Sequence, residues 1–174
     1  MRTLFVLIAL CVGGAAMLAA PQNNDIAAGE AVFFGKGNCS SCHEVNGRGG
    51  IVGPDLSAAG TRTADALRAK ITNPNAGATG ARGGGPQVIV ARRADGREVQ
   101  GVRRNEDTFT LQIVDASGQL HVLDKTTLRE VRRENRSLMP AYDASRLPDA
   151  DLDNLVAYLQ TLRSTATARK DGSQ

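Results

Sequence analysis

Aromatic side chains are scarce: two Tyr, four Phe and no Trp among 174 residues. Aromatic rings normally dominate core burial, so their scarcity leaves room for a bulky buried group that is not a side chain. A chain of this length holds one domain with a real core, or a small domain carrying an insertion; two large domains do not fit. Acidic and basic residues nearly balance, 18 against 21, and they intersperse instead of gathering into a stripe. That excludes a nucleic-acid footprint. Histidine is limited to two residues and cysteine to three, so soft metal donors can barely assemble a closed four-ligand site.

What is present begins with a leader. Residues 1–20 carry one positive charge, Arg2, followed by an uncharged apolar run from Leu4 to Ala20 that ends in small residues. This is the layout of a secretory signal peptide, and it predicts an exported, periplasmic protein. Small residues permit cleavage after Ala16 or Ala20. The alternative is an uncleaved anchor facing the periplasm, since the run stands at the short limit for crossing a bilayer and is interrupted by Gly13 and Gly14. Cys11 lies in the leader and leaves with it. The mature chain then keeps two cysteines, Cys39 and Cys42.

The rest of the chain changes character twice. Asn24 or Asp25 can cap a helix through IAAGEAVFFGKG that ends at Gly35 to Gly37. A second helix starts at Thr63, runs through ADALRAKIT and stops at Asn73 and Pro74. Between them NGRGGIVGPDLS reads as a loop without periodicity. Residues 77–85 form a Gly-rich linker. Residues 86–135 then contain five short runs, several alternating apolar with polar, with Asp95-Gly96 and Ser117-Gly118 at hairpin positions. They predict a small antiparallel sheet or barrel of about five strands, with Phe109, Leu111 and Ile113 on one face. Helical spacing returns after Pro148, where Leu152, Leu155, Val156 and Leu159 make one buried face that Tyr158 extends. The polar tail, residues 164–174, is expected to be disordered.

The chemistry gathers in GNCSSCHEVNG at residues 37–47. A zinc ion would need four ligands, and only His121 remains as a further soft donor, while the adjacency of Cys42 and His43 makes joint ligation awkward. A redox disulfide between Cys39 and Cys42 normally opens a helix that follows a strand, whereas here a helix precedes. A haem explains more. In C-x-x-C-H the two thiols form thioether bonds to the haem vinyl groups and the histidine ring reaches the iron. That chemistry agrees with export, engages both remaining thiols and supplies the missing large apolar core element. A second axial ligand is expected from a distant segment, and SLMPAY places Met139 directly before Pro140. A His/Met pair raises the reduction potential and favours electron transfer over substrate binding. His121, inside an apparent strand, is the other candidate for that position.

These residues resemble a class I c-type cytochrome domain: Cys39-x-x-Cys42-His43, then Gly53-Pro54-Asp55-Leu56, then Met139-Pro140, then the helix DLDNLVAYLQTL. The resemblance covers residues 24–76 and 136–163, which makes the haem domain discontinuous. It implies a mainly α cytochrome c fold with an inserted small antiparallel β module, SH3-like or a small barrel. It assigns Cys39 and Cys42 to the thioethers, His43 to the proximal and Met139 to the distal position, and Pro54 to the carbonyl that accepts a hydrogen bond from the proximal imidazole. It also sets Gly29 and Phe33 of the first helix against Leu155 and Tyr158 of the last. Ordinary small members lack the insertion; the arrangement is similar to a haem-binding subfamily from planctomycete and acidobacterial bacteria, often attached to dehydrogenase modules.

The function implied is a monohaem electron carrier, without catalytic residues, between a periplasmic dehydrogenase or quinol-oxidising complex and a terminal acceptor. Its partners are redox proteins, with no nucleic acid, and the membrane only if the leader stays as an anchor. Two alternatives remain open: a haem peroxidase or gas sensor with an open distal site, and a docking module with the haem as passenger. In the last, Arg92-Arg93, Arg103-Arg104 and Arg132-Arg133 would face an acidic partner; otherwise they are solvated strand ends balanced by Glu98, Glu106, Asp107, Glu130 and Glu134.

Overall fold

The Asp25 carboxylate accepts a hydrogen bond from the Ala28 backbone at 3.0 Å, capping the free amides that begin any helix, and helix α1 (Ile26–Phe34) follows. In this computed structural model residues 25–76 and 88–163 are described. The leader, the Gly-rich linker and the tail expected from the sequence lie outside them. Helix α2 (Ala64–Thr72) is capped in the same way by Thr63. Helix α3 (Asp149–Thr161) begins directly after Pro148, which stands at the cap position with extended backbone. No helix among the described residues is long and apolar enough to cross a membrane.

Helices α1 and α3 pack closely because Gly29 has no side chain. A Cβ there would strike the Asn154 carbonyl oxygen and crowd the Tyr158 Cβ at 2.8 Å. Further along, the Phe33 and Tyr158 rings lie 5.9 Å apart. The pairing expected of Gly29 and Phe33 is present, with Asn154 rather than Leu155 beneath the glycine. Asn154 also accepts from the Asp25 amide at 2.9 Å, and Lys36 and Asp151 form an ion pair at 2.7 Å. Arg68 of α2 pairs with Asp153. Val32, Phe33, Leu67, Ile71, Tyr142, Leu152, Leu155 and Leu159 belong to the buried cluster that these helices share.

The stretch read as a plain loop contains a two-residue hairpin, β1 (Glu44–Val45) against β2 (Arg48–Gly49). Its turn residues Asn46 and Gly47 both have positive φ, 50° and 81°. Asn-Gly is the pair that such a turn demands, so the signal lay in the sequence as a dipeptide and not as a periodicity.

Between α2 and α3 in chain order stand five antiparallel strands: β3 (Val88–Arg93), β4 (Glu98–Glu106), β5 (Thr110–Val114), β6 (Leu120–Asp124) and β7 (Leu128–Glu134). Their spatial order is β6-β5-β4-β3-β7. Strands β3 to β6 form a meander, and a 3₁₀ turn at Lys125–Thr127 sends β7 back to pair with β3. Gly96 and Gly118 hold positive φ at the hairpin ends. The sheet has its own core of Ile89, Ala91, Leu111, Ile113 and Leu123. Phe109 departs from the expected face: it is 68% exposed. Strand β5 starts one residue later, and the Asp107 carboxylate accepts from the amides of Phe109 and Thr110, holding Phe109 in the turn and outside the strand's alternation.

Candidate functional site

The cysteine motif enters through a left-handed residue, Asn38, with φ 49°. A 3₁₀ turn, Cys39–Ser41, follows, and the Cys39 carbonyl accepts from the amides of both Cys42 and His43, at 3.2 and 2.9 Å. Cys39, Cys42 and His43 are therefore first, fourth and fifth residues of one helical turn, a spacing that sets side chains on a common face. The following loop folds back on this turn: Gly50 donates to the Ser40 carbonyl and Gly53 to the Cys42 carbonyl, at 2.8 and 2.7 Å. Buried Ser57 fixes the far end of the loop, donating to Asp55 and accepting from the Asn46 amide.

That fold-back orients the histidine. The imidazole is buried, and its Nδ1 lies 2.8 Å from the Pro54 carbonyl oxygen. A carbonyl only accepts, so Nδ1 carries the proton and Nε2 keeps its lone pair for a metal. Gly53 leaves room for the ring: a Cβ there would lie 2.5 Å from Nδ1, 2.8 Å from Nε2 and closer still to Cε1. Burial lowers the proton affinity of His43, with the Pro54 bond opposing it, which favours the neutral form that ligates.

Both thiols are free and half-buried. Burial, the largest influence, pushes the Cys39 thiol up to about 11, so it is protonated at neutral pH, and its Sγ donates to the Gly37 carbonyl at 3.6 Å. Ser41 donates to the Cys42 sulfur at 3.7 Å. Two free thiols and one imidazole nitrogen on a single face match the set that attaches and ligates a haem c. No three or more His, Cys, Asp or Glu side chains gather into a metal cage among the described residues.

Met139, distant in sequence, is half-buried and packs on the margin of the helical cluster, where Cys39, Phe34 and Leu56 also sit. Its amide donates to the Ser137 hydroxyl at 3.0 Å, and the Ser137 amide donates to the Asn75 side chain at 2.8 Å. His121 is elsewhere, in β6, with Nε2 2.7 Å from the Asp115 carboxylate across the β5–β6 hairpin. The arginine doublets are largely engaged within the sheet: Arg92 and Arg132 lie against Glu98 and Glu130, and Arg103 and Arg133 against Glu106.

Sequence reasoning singled out Cys39, Cys42, His43, Pro54 and Met139, and the first four share this one turn and loop. It passed over Tyr142, whose hydroxyl donates to the Gly37 carbonyl at 2.6 Å. Residues 26–100 match the family model described as Cytochrome c. The match takes in Cys39, Cys42, His43 and Pro54, ends within β4, and leaves Met139 and α3 beyond it. It supports a c-type cytochrome domain, with the covalently bound haem c and haem-based electron transfer that such a domain implies. A sheet-rich region with five antiparallel strands accompanies that domain. No curated protein matches the chain.

Proposed function

We propose that this is an exported monohaem c-type cytochrome whose haem domain is split by an SH3-like insert, and that it carries single electrons between a periplasmic dehydrogenase or quinol-oxidising complex and a terminal acceptor. The observation that carries the reading is the His43 imidazole, held through Nδ1 on the Pro54 carbonyl with Nε2 free, on the face it shares with two free thiols. Cys39 and Cys42 would make the thioether links, and His43 and Met139 would be the axial ligands. Bound there, a haem c supplies a one-electron ferric/ferrous couple. The chain's part is to hold that group out of water, set its potential through the two ligands and leave an edge for a partner protein. No side chain is asked to move a proton or to bind a substrate.

The insert reading rests on chain order, with all five strands lying between α2 and α3. The SH3-like reading rests on the meander, the 3₁₀ turn and the return of β7 to β3. Export rests on the leader's composition alone.

The test is an absorption spectrum of protein matured in a host that attaches haem c, taken oxidised and reduced, before and after acid-acetone extraction. Haem that resists extraction, with a methionine-to-ferric-iron charge-transfer band that disappears in Met139→Ala, is the expected result. Retained haem without the band would remove Met139 and turn the reading toward an open-site haem protein. Colourless protein would end the haem reading.

A further inference from the structure

Tyr142 lies three residues after Met139 and belongs to neither the attachment motif nor the ligand pair. It is 8% exposed. Its hydroxyl donates to the Gly37 carbonyl at 2.6 Å across a sequence separation of 105 residues, and its amide donates to the Ile71 carbonyl at 3.2 Å. The Gly37 carbonyl is also the acceptor for the Cys39 thiol. One backbone oxygen thus ties the segment that delivers Met139 to the turn that bears the cysteines. At the other end of the segment the Met139 amide is held by Ser137, and Ser137 by Asn75 beyond the end of α2. The Arg146 guanidinium lies 4.8 Å from the centre of the Tyr142 ring, covering its outer side.

Resting on the haem-carrier reading, we infer that Tyr142 is a positioning residue for the distal ligand: its bond to the Gly37 carbonyl holds the Met139 segment against the cysteine turn and sets how readily Met139 is displaced. A thioether is a weak ligand, so the closed state depends on the chain that presents it. Losing the hydroxyl removes one buried hydrogen bond and leaves the Gly37 carbonyl without that donor, because Cys39 as a thioether has no S–H to offer. Such a loss is about 1 kcal/mol, equivalent to roughly a five-fold change in an equilibrium constant. The phenyl ring remains in Phe, so packing is preserved.

The experiment is an imidazole titration of the oxidised haem protein, following loss of the methionine-to-iron band in wild type, Tyr142→Phe and Val156→Ala. The last removes buried volume from α3, at a residue that is 3% exposed and is not a partner in the segment's hydrogen bonds. Tyr142→Phe should bind imidazole about five-fold more tightly, and Val156→Ala should bind it as wild type does despite a lower melting temperature. Unchanged affinity in Tyr142→Phe overturns the inference. Equal tightening in both variants also overturns it, because general loosening would then be the cause. A wild-type protein with haem but no band would instead defeat the ligand assignment beneath it, an outcome visible before any variant is made.

Discussion

Gly53 is the residue on which the histidine's orientation depends most directly. Any Cβ at that position would enter the space of the His43 ring, and the ring cannot retreat without leaving the Pro54 carbonyl. Gly53→Ala should therefore displace the imidazole, at about 1–3 kcal/mol of overpacking. The expected result is a smaller fraction of chains retaining haem through acid-acetone extraction, together with a weaker charge-transfer band. Wild-type yield and spectrum would show that the loop yields without moving the ring. The same residue scale explains what periodicity could not find. Asn46 and Gly47 form a tight turn through their own backbone preferences, and Phe109 leaves the sheet's face because the Asp107 carboxylate captures its amide.

Among the elements, the contact of α1 with α3 and the charged cluster on the sheet respond to different changes. Gly29→Ala places a methyl group against the Asn154 backbone. Backbone cannot rotate away as a side chain can, so the helices must separate, and a loss of at least 1–3 kcal/mol in denaturant midpoint analysis is expected. A midpoint within 0.5 kcal/mol of wild type would mean that the helices slide instead.

Glu106 is a different kind of support. Lys125, then Arg133 and Arg103, hold its carboxyl at about 2 instead of 4.5. The folded value is the depressed one, so the stabilisation is fully present above pH 4.5 and is lost as pH falls toward 2. Urea midpoints for the wild type should fall more steeply across that window than those of Glu106→Gln. Parallel curves would show that the cluster is ornamental, as many exposed ion pairs are.

In the whole molecule, two buried clusters share no residue: the helical one around Phe33 and Leu155, and the sheet's around Ile89 and Ile113. Arg104 of β4 and residues of the Glu44 to Asp55 loop line one open cleft of about 210 Å³. The cysteine motif and Met139 border the helical cluster alone, so haem attachment should stabilise that part selectively. Hydrogen exchange is expected to show α1, α2 and α3 losing protection in a Cys39→Ala/Cys42→Ala double variant, while β3 to β7 exchange as in the haem-bearing protein. Equal loss in the strands would mean that the two cores unfold as one unit.

The parts of this molecule legible in its sequence are those with local causes. The caps at Asp25 and Thr63, the five strand runs, the glycines at hairpin ends and the spacing of Cys39, Cys42 and His43 each depend on residues a few positions apart, and all stand where the chain's pattern puts them. Gly53-Pro54 was read through resemblance, since nothing in the dipeptide itself says that its carbonyl meets a ring eleven residues earlier. Tertiary structure decided the rest: that Asn154 lies beneath Gly29, that β7 returns beside β3, that His121 pairs with Asp115 and that Tyr142 reaches Gly37. Most of these partners are tens of residues apart or more, and what selects them is closure of a shared core and satisfaction of buried polar groups. Those conditions have no period, and they exist only once the chain has folded.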